Sequence, residues 1–221
     1  RRRAAAQTAS VDLLRARLEF SQIGTGGPNI VVTSAGAGEG KSTVAASLGA
    51  ALARAGKRVI CVDADVRRPA LYRYLRLPQE TPGLLDVVRR GLDIDEALLT
   101  VALNQSSRNG AAATPPPVEF EVLLAGNSNS GDRGPRLDSH EISRLIETLQ
   151  ERADYVILDS PPLLVADAFL LAAQAGNVLV VARHGRTTKD QAESVRATLE
   201  ELGVRHVGVV LTNAPPVEAY P

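Results

Sequence analysis

The segment Ser34–Thr43 carries the residue types that bind phosphate groups. It reads SAGAGEGKST, and it lies between an apolar run and a pattern typical of a helix. A loop in that position points backbone N–H groups and the positive end of the helix at an anion. Lys41 can reach the terminal phosphates of a nucleotide, and the Ser42 hydroxyl can ligate Mg²⁺. The general pattern has glycine where this chain has Ala35, a small residue that we expect to fit. We predict that ATP or ADP binds through Gly36, Ala37, Gly38, Glu39, Gly40, Lys41, Ser42 and Thr43.

Three aspartates follow two apolar runs of the kind that form buried strands. Asp63 and Asp65 come at the end of the first run, and Asp159 ends the second. Doubly wound sheets bind ligands at the carboxyl ends of their strands, so we expect these side chains beside the phosphates. Three acids there would repel a triphosphate unless a cation is present. We predict Mg²⁺ held by Ser42 with Asp65 or Asp159, which leaves Asp63 as a general base. The alternative for each aspartate alone is a helix cap or a solvent contact at a strand end.

The elements that would position these residues alternate along the chain. Short apolar runs predict strands at 29–33, 58–62, 121–124, 155–158, 178–181 and 207–211. A helix is predicted at 42–55, and capping patterns at Asp138 and Thr188 open two more. This alternation predicts an α/β fold of the P-loop NTPase type, a doubly wound, mostly parallel sheet with helices on both faces.

The predicted domain is flanked by less regular segments. We expect a linker with an amphipathic helix at 1–28, the nucleotide-binding domain at 29–213 and a tail at 214–221. Surface loops are expected at 104–117, between a helix and a strand, and at 127–136. The chain begins with arginine rather than methionine, so we expect a piece of a longer protein. Its three opening arginines would be the cytoplasmic flank of a membrane helix or a solvated linker.

Composition excludes several classes of function. Lys and Arg equal Asp and Glu at 25 each, so no net field favours nucleic acid. The single cysteine, Cys61, lies in an apolar run and is expected in the core. The three histidines lack metal-ligand spacing.

We expect Tyr72 and Tyr74 to be partly buried packing residues. Arg67, Arg68 and Arg73 would form a basic patch that holds an acidic partner or a phosphate.

The motifs in this order resemble the catalytic domain of bacterial tyrosine kinases of the polysaccharide co-polymerase family. The resemblance covers roughly residues 9–213, with Walker A at 35–42, Walker A′ at 59–69 and Walker B at 155–162. It implies that Asp63 accepts the proton of a tyrosine hydroxyl while Lys41 balances phosphate charge. It also implies that Arg183 and Asn213 lie near the adenine.

The same resemblance implies partners and a location. The expected partners are a membrane-embedded co-polymerase portion, the tyrosine tail of a neighbouring copy, and further copies in a ring. The domain would lie in the cytoplasm at the inner face of the plasma membrane, where it would couple phosphorylation to surface polysaccharide export.

Several departures from the family pattern keep other functions open. The N-terminal positions that normally carry Glu, Arg and Arg are Ala9, Asp12 and Arg15, and the usual prolines are missing from 127–136. The chain ends with one tyrosine, Tyr220, instead of a cluster. A regulatory nucleotide-binding module with little kinase activity is therefore an alternative, and we expect the isolated domain to be monomeric. A partitioning ATPase is a third hypothesis, but such proteins carry lysine where this chain has Gly36.

Overall fold

The computed structural model describes residues 2–20, 29–103, 117–126, 138–204 and 206–215. The predictions for the segments 104–116, 127–137 and 216–221, including Tyr220, lie outside these residues. None of the helices within the described ranges is long and apolar enough to cross a membrane.

A seven-stranded sheet forms the centre of the described structure. In chain order its strands are β1 (Asn29–Ser34), β2 (Val59–Asp63), β3 (Leu98–Leu103), β4 (Val118–Leu123), β5 (Tyr155–Asp159), β6 (Asn177–Arg183) and β7 (His206–Thr212). The order across the sheet is β3-β4-β2-β5-β1-β6-β7. Every neighbouring pair is parallel except β3 and β4, which are antiparallel. Strands β5 and β2 lie on one side of β1, and β6 lies on the other. The strand order therefore reverses at β1, which is where ligands bind in sheets of this kind.

Helices cover both faces of the sheet. They are α1 (Arg2–Phe20), α2 (Lys41–Arg54), α3 (Leu71–Leu75), α4 (Leu84–Arg90), α5 (Ile94–Ala97), α6 (Ser139–Arg152), α7 (Ala166–Ala175) and α8 (Lys189–Glu201). One apolar cluster joins the sheet to α1, α2 and α3 through Leu18, Leu52 and Leu71. A second joins the other face to α4–α8, with Leu149 and Leu171 among its members. The predicted doubly wound, mostly parallel α/β fold is confirmed.

Local signals in the sequence located the starts of α6 and α8 correctly. The Asp138 carboxylate accepts hydrogen bonds from the first turn of α6, and Thr188 and Gln191 form a reciprocal capping box on α8. Residues Val11, Leu14 and Leu18 lie on the less exposed side of α1, as their spacing predicts. Cys61 is fully buried, and burial raises the pKa of its thiol, so the expectation of an unreactive core residue is confirmed.

Elements at one edge of the sheet differ from the prediction. Strand β3 was not predicted, and the segment from residue 104 therefore follows a strand instead of a helix. The residues of β3 are LLTVAL, and none of them is fully buried, because the strand lies at the sheet edge. Leucine and alanine favour helices, so only the pairing with β4 decides that this run is extended. The short helices α4 and α5 also went unpredicted.

Candidate nucleotide-binding site

The phosphate loop joins β1 to α2 at the carboxyl edge of the sheet. Gly38 and Gly40 have φ angles of 76° and 104°, which residues with a side chain rarely adopt. Gly40 is the N-cap of α2, and its carbonyl accepts the Val44 N–H at 2.9 Å. Ala35, where the general pattern has glycine, is buried in the apolar cluster that includes Val31, so the small side chain fits. The loop therefore presents the free N–H groups of the helix end to an anion, as the sequence predicts.

An open cleft of about 480 Å³ lies over this loop. It is lined by Ala37, Gly38, Gly40, Lys41, Ser42, Asp65, Arg67, Arg68, Ala70, Tyr74, Pro161, Pro162 and Val165. A cleft of this size suits a nucleotide-sized ligand. It brings together residues of the three predicted motifs, which are far apart in the sequence.

Two of the predicted aspartates lie next to each other below the cleft. Asp63 and Asp159 are register partners on the parallel strands β2 and β5, and both are buried. The Asp63 Oδ2 atom accepts the backbone N–H groups of Ala70 at 2.9 Å and Leu71 at 3.0 Å. Asp65 alone of the three aspartates lines the cleft, and its Oδ1 atom accepts the Arg68 N–H at 3.1 Å. The structure therefore places one carboxylate at the surface of the cleft and two beneath it.

Burial governs the protonation of these groups. It raises the pKa of Asp63 to about 7, against the opposing hydrogen bonds from Leu71 and Ala70. Burial, with the Asp63 charge added, also raises the pKa of Asp159 well above its ordinary range. Burial lowers the pKa of Lys41, although the charge of Asp159 works in the other direction. Without a bound ligand, ionising both Asp63 and Asp159 costs free energy, and so does keeping the buried Lys41 side chain protonated.

The donor set fits a magnesium ion. Oδ1 of Asp63 and both carboxylate oxygens of Asp159 are buried without a hydrogen bond of good geometry, although the Ser42 hydroxyl approaches Asp159 closely enough to lower its pKa. No group of three or more His, Cys, Asp or Glu side chains is placed to hold a metal by itself within the described ranges. Mg²⁺ is usually bound by one or two carboxylates together with substrate phosphates and water. Ser42, Asp65 and Asp159 would supply that kind of site.

The raised pKa of Asp63 makes apo stability depend on pH. The folded protein keeps the Asp63 proton up to about pH 7, whereas the unfolded chain releases it near 3.8. Folding stability must therefore fall as pH rises through this window, because the unfolded state binds fewer protons there. We expect the unfolding temperature of the nucleotide-free protein in EDTA to fall between about pH 5 and pH 7, by about 2–4 °C for each kcal/mol lost.

Thermal unfolding monitored by circular dichroism checks this expectation. Asp63→Asn should make the profile less steep but not flat, because the raised pKa of Asp159 adds a slope of the same sign. Asp154→Asn, at an exposed carboxylate paired with Arg58, should leave the slope unchanged. A wild-type profile that is flat or rises over the same range would contradict the assignment.

The two residues predicted near the adenine lie at the same edge of the sheet as the phosphate loop. Arg183 ends β6, and its Nη1 atom donates to the Gly38 carbonyl at 2.9 Å. Asn213 directly follows β7 and has a φ of 55°. Since Arg183 pairs in register with Thr212, Asn213 lies beside the loop that follows β6. The structure thus brings both residues near the phosphate loop, while their contact with a base stays a prediction.

Some contacts around the cleft were missed from the sequence. Asp167 of α7 is buried and forms an ion pair with Arg67 at 3.2 Å, which holds that guanidinium at the rim of the cleft. No local signal links two residues 100 positions apart. Arg73 does not line the cleft, because it donates to the Tyr72 hydroxyl at 2.7 Å. The expectation of a partly buried Tyr74 was wrong, since the side chain is 52% exposed and lines the cleft.

Comparison with known proteins identifies a nucleotide-binding domain. Residues 30–217 match the family model of the CobQ/CobB/MinD/ParA nucleotide binding domain. The chain is 32% identical over 210 residues to the putative tyrosine-protein kinase EpsB of Ralstonia nicotianae, covering 94% of this chain and 26% of that protein. It is 30% identical over 199 residues to the tyrosine-protein kinase YwqD of Bacillus subtilis, covering 90% of this chain and 77% of that protein.

A solved structure shows the same fold. The kinase domain of the Escherichia coli tyrosine kinase ETK superposes with a TM-score of 0.76 at 24% identity, covering 96% of this chain and 77% of that chain. The chain spans about a quarter of the length of EpsB but most of YwqD.

Proposed function

Because the chain belongs to the bacterial tyrosine kinases of the CobQ/CobB/MinD/ParA nucleotide-binding family, we propose that it transfers the γ-phosphate of ATP to a protein tyrosine. The observation that carries the proposal is the cleft that joins the phosphate loop, Lys41 and Asp65 above the paired Asp63 and Asp159. Residues 29–213 form the catalytic unit in this proposal, residues 1–28 a linker with its helix, and residues 214–221 a tail.

Each step of the transfer has a residue in the cleft or directly beneath it that can perform it. The phosphate loop holds the phosphates by backbone N–H groups, and Lys41 balances the charge that develops on the transferred group. Ser42, Asp65 and Asp159 would hold Mg²⁺, which would supply positive charge to neutralise the phosphates of the nucleotide. The tyrosine oxygen forms a bond to the γ-phosphorus as the bond to the β-phosphate oxygen breaks, and ADP leaves.

Asp63 is proposed to take the proton of the tyrosine hydroxyl. Among the described residues its Oδ1 atom makes no hydrogen bond of good geometry, and its pKa of about 7 suits a base that works near neutral pH. We expect Asp63→Asn to slow phosphotyrosine formation by about 10²-fold, since a general base contributes about that much. Nucleotide affinity should change little, because the side chain does not line the cleft.

Asp65→Asn is the comparison for this variant, because Asp65 is the carboxylate that an incoming tyrosine meets in the cleft. Full phosphorylation by Asp63→Asn would remove the base role from Asp63. A large loss in Asp65→Asn would not by itself assign that role to Asp65, because Asp65 would also hold Mg²⁺. Rates are measured as single-turnover phosphotyrosine formation at saturating ATP.

The function itself is tested on the full-length protein with labelled ATP and Mg²⁺. Phosphotyrosine that forms in the wild type supports the kinase, and an unlabelled protein that still binds ATP contradicts it. The proposed partners are a membrane-embedded co-polymerase portion, of the same or a partner chain, and the tyrosine tail of another copy. The proposed location is the cytoplasmic face of the plasma membrane, and the proposed role is control of surface polysaccharide export.

A regulatory nucleotide-binding module is the second candidate. It is supported by Ala9 and Asp12, exposed positions of α1 where kinases of this kind carry ring-forming charges, and by Arg15, which pairs with Glu19 of its own helix. Such a module would bind ATP and change its assembly without phosphorylating tyrosine. Analytical ultracentrifugation with and without nucleotide separates the two, together with the labelling experiment above.

A further inference from the structure

The side chain of Glu39 turns inward from the phosphate loop. Glu39 is 2% exposed, and its Oε2 atom accepts the Gly36 N–H at 2.8 Å. The other carboxylate oxygen, Oε1, accepts the hydroxyl of Thr187. Both oxygens of a buried carboxylate are thus satisfied, which offsets the cost of placing this charge inside a loop that binds anions.

Thr187 belongs to the connection between β6 and α8, nearly 150 positions away in the sequence. Its Oγ1 atom donates to Glu39 and accepts the Arg183 N–H at 2.8 Å, so both capacities of the hydroxyl are used. The next residue, Thr188, is the N-cap of α8. Thr187 therefore ties the phosphate loop to a segment that is itself fixed by a strand and a capped helix.

Two further bonds join the same segments. The Arg183 guanidinium donates to the Gly38 carbonyl at 2.9 Å, and the Thr212 hydroxyl donates to the Glu39 carbonyl at 2.6 Å. The ends of β6 and β7 thus contact the backbone of the loop. In the Glu39–Thr187 pair, however, a side chain of the loop reaches a side chain of the β6–α8 connection, and either partner can be changed without replacing a glycine.

We propose that Glu39 and Thr187 form a latch that holds the phosphate loop in its binding conformation. Neither is a catalytic residue here, because each acts through the backbone of the loop. A loop ordered in advance loses less conformational entropy when phosphate binds, and the latch contributes to affinity in that way. The inference rests on the nucleotide binding in the proposed function, but it requires no tyrosine substrate.

Thr187→Val tests the latch because it removes the hydroxyl and keeps the shape of the side chain. We expect the dissociation constant for MgADP, measured by calorimetry, to rise about tenfold. Thr187→Ser should bind nearly as the wild type does, since it retains a hydroxyl. Glu39→Gln should also weaken binding, because an amide nitrogen replaces one of the two oxygens that accept from Gly36 and Thr187. The affinity loss in the double variant should be smaller than the sum of the two single losses, because the two residues share a contact.

Thr198→Val is the matched control. It makes the same change on α8, where the hydroxyl bonds only to the Ser194 carbonyl of its own helix. The nucleotide-free Thr187→Val protein should unfold at a somewhat lower temperature than Thr198→Val, because one oxygen of the buried Glu39 loses its donor. Only Thr187→Val, however, should lose MgADP affinity when both variants are measured at a temperature where they are folded. That split distinguishes a latch on the loop from a general contribution to stability.

Wild-type affinity for MgADP in Thr187→Val would overturn the latch proposal. Equal losses of MgADP affinity in Thr187→Val and Thr187→Ser would also overturn it. Additive losses in the double variant would overturn it as well. The Thr187 variants suffice if Glu39→Gln does not fold. A protein that binds MgADP but forms no phosphotyrosine contradicts the kinase function alone, so the two proposals fail by different measurements.

Discussion

Lys41→Met should reduce phosphotyrosine formation by about 10³-fold or more, because it removes the one cation that the phosphate loop itself carries. Lys41 is 7% exposed and faces the charges of Asp159, Asp65 and Glu39. In that buried setting a positive charge acts on the transferred phosphate with little screening. Methionine keeps the length of the side chain and loses only the charge and its hydrogen bonds. The rate is measured by single-turnover labelling of the full-length protein with saturating ATP.

Lys57→Met is the control, since Lys57 is exposed just after α2 and lies outside the cleft. It should phosphorylate at the wild-type rate. A Lys41→Met protein that binds ATP and retains more than about a tenth of the wild-type rate would contradict the charge-balancing role. Loss of ATP binding together with the rate would instead assign Lys41 to substrate binding in the ground state.

Asp159→Asn should have effects of opposite sign on activity and on apo stability. Removing this carboxylate takes away a magnesium ligand, so we expect phosphotyrosine formation to fall by about 10³-fold and the Mg²⁺ dependence of ADP binding to weaken. The apo protein should become more stable at about pH 8, by an amount on the order of 1 kcal/mol. The reason is that Asp159 is buried beside Asp63, and the asparagine has no charge to desolvate or to repel its neighbour.

Calorimetry of ADP binding with Mg²⁺ and with EDTA, and thermal unfolding without nucleotide, measure these two effects. Asp154→Asn is the matched control at the opposite end of the same strand, where Asp154 pairs with Arg58 on the surface. It should retain activity and change stability by less than about 1 kcal/mol, as exposed ion pairs do. An Asp159→Asn protein with intact Mg²⁺ dependence would remove this residue from the metal site.

Much of the fold could be predicted because its signals are local. The inner strands β1, β2 and β5 are nearly continuous apolar runs buried on both faces, which is the pattern of a parallel sheet covered by helices. The caps of α6 and α8 depend on residues three positions apart, so a short stretch of sequence specifies them. The edge strand β3 lacks such a pattern, since it is half exposed and made of residues that also suit a helix.

The candidate site likewise contains some features that the sequence predicts and others that it does not. The phosphate loop was predictable because its glycines, Lys41 and Ser42 are consecutive, and their chemistry depends on the turn they form themselves. The aspartates were predictable as strand ends, but their different exposures were not. Asp63 lies beneath the cleft because its Oδ2 atom binds the backbone that opens α3, whereas Asp65 points into the cleft.

The residues of this chain alone determine that it carries a phosphate loop opening a helix, since every part of that motif lies within ten positions. The tertiary structure decides which side chains contact that loop and which charged groups lie around it. The Asp63–Asp159 pair depends on the register of β2 with β5. The Glu39–Thr187 bond depends on the pairing of β6 with β1. The Arg67–Asp167 ion pair likewise depends on where α7 packs. Each contact joins residues about 100 positions apart or more, and only the packing of the sheet and its helices brings such residues within bonding distance.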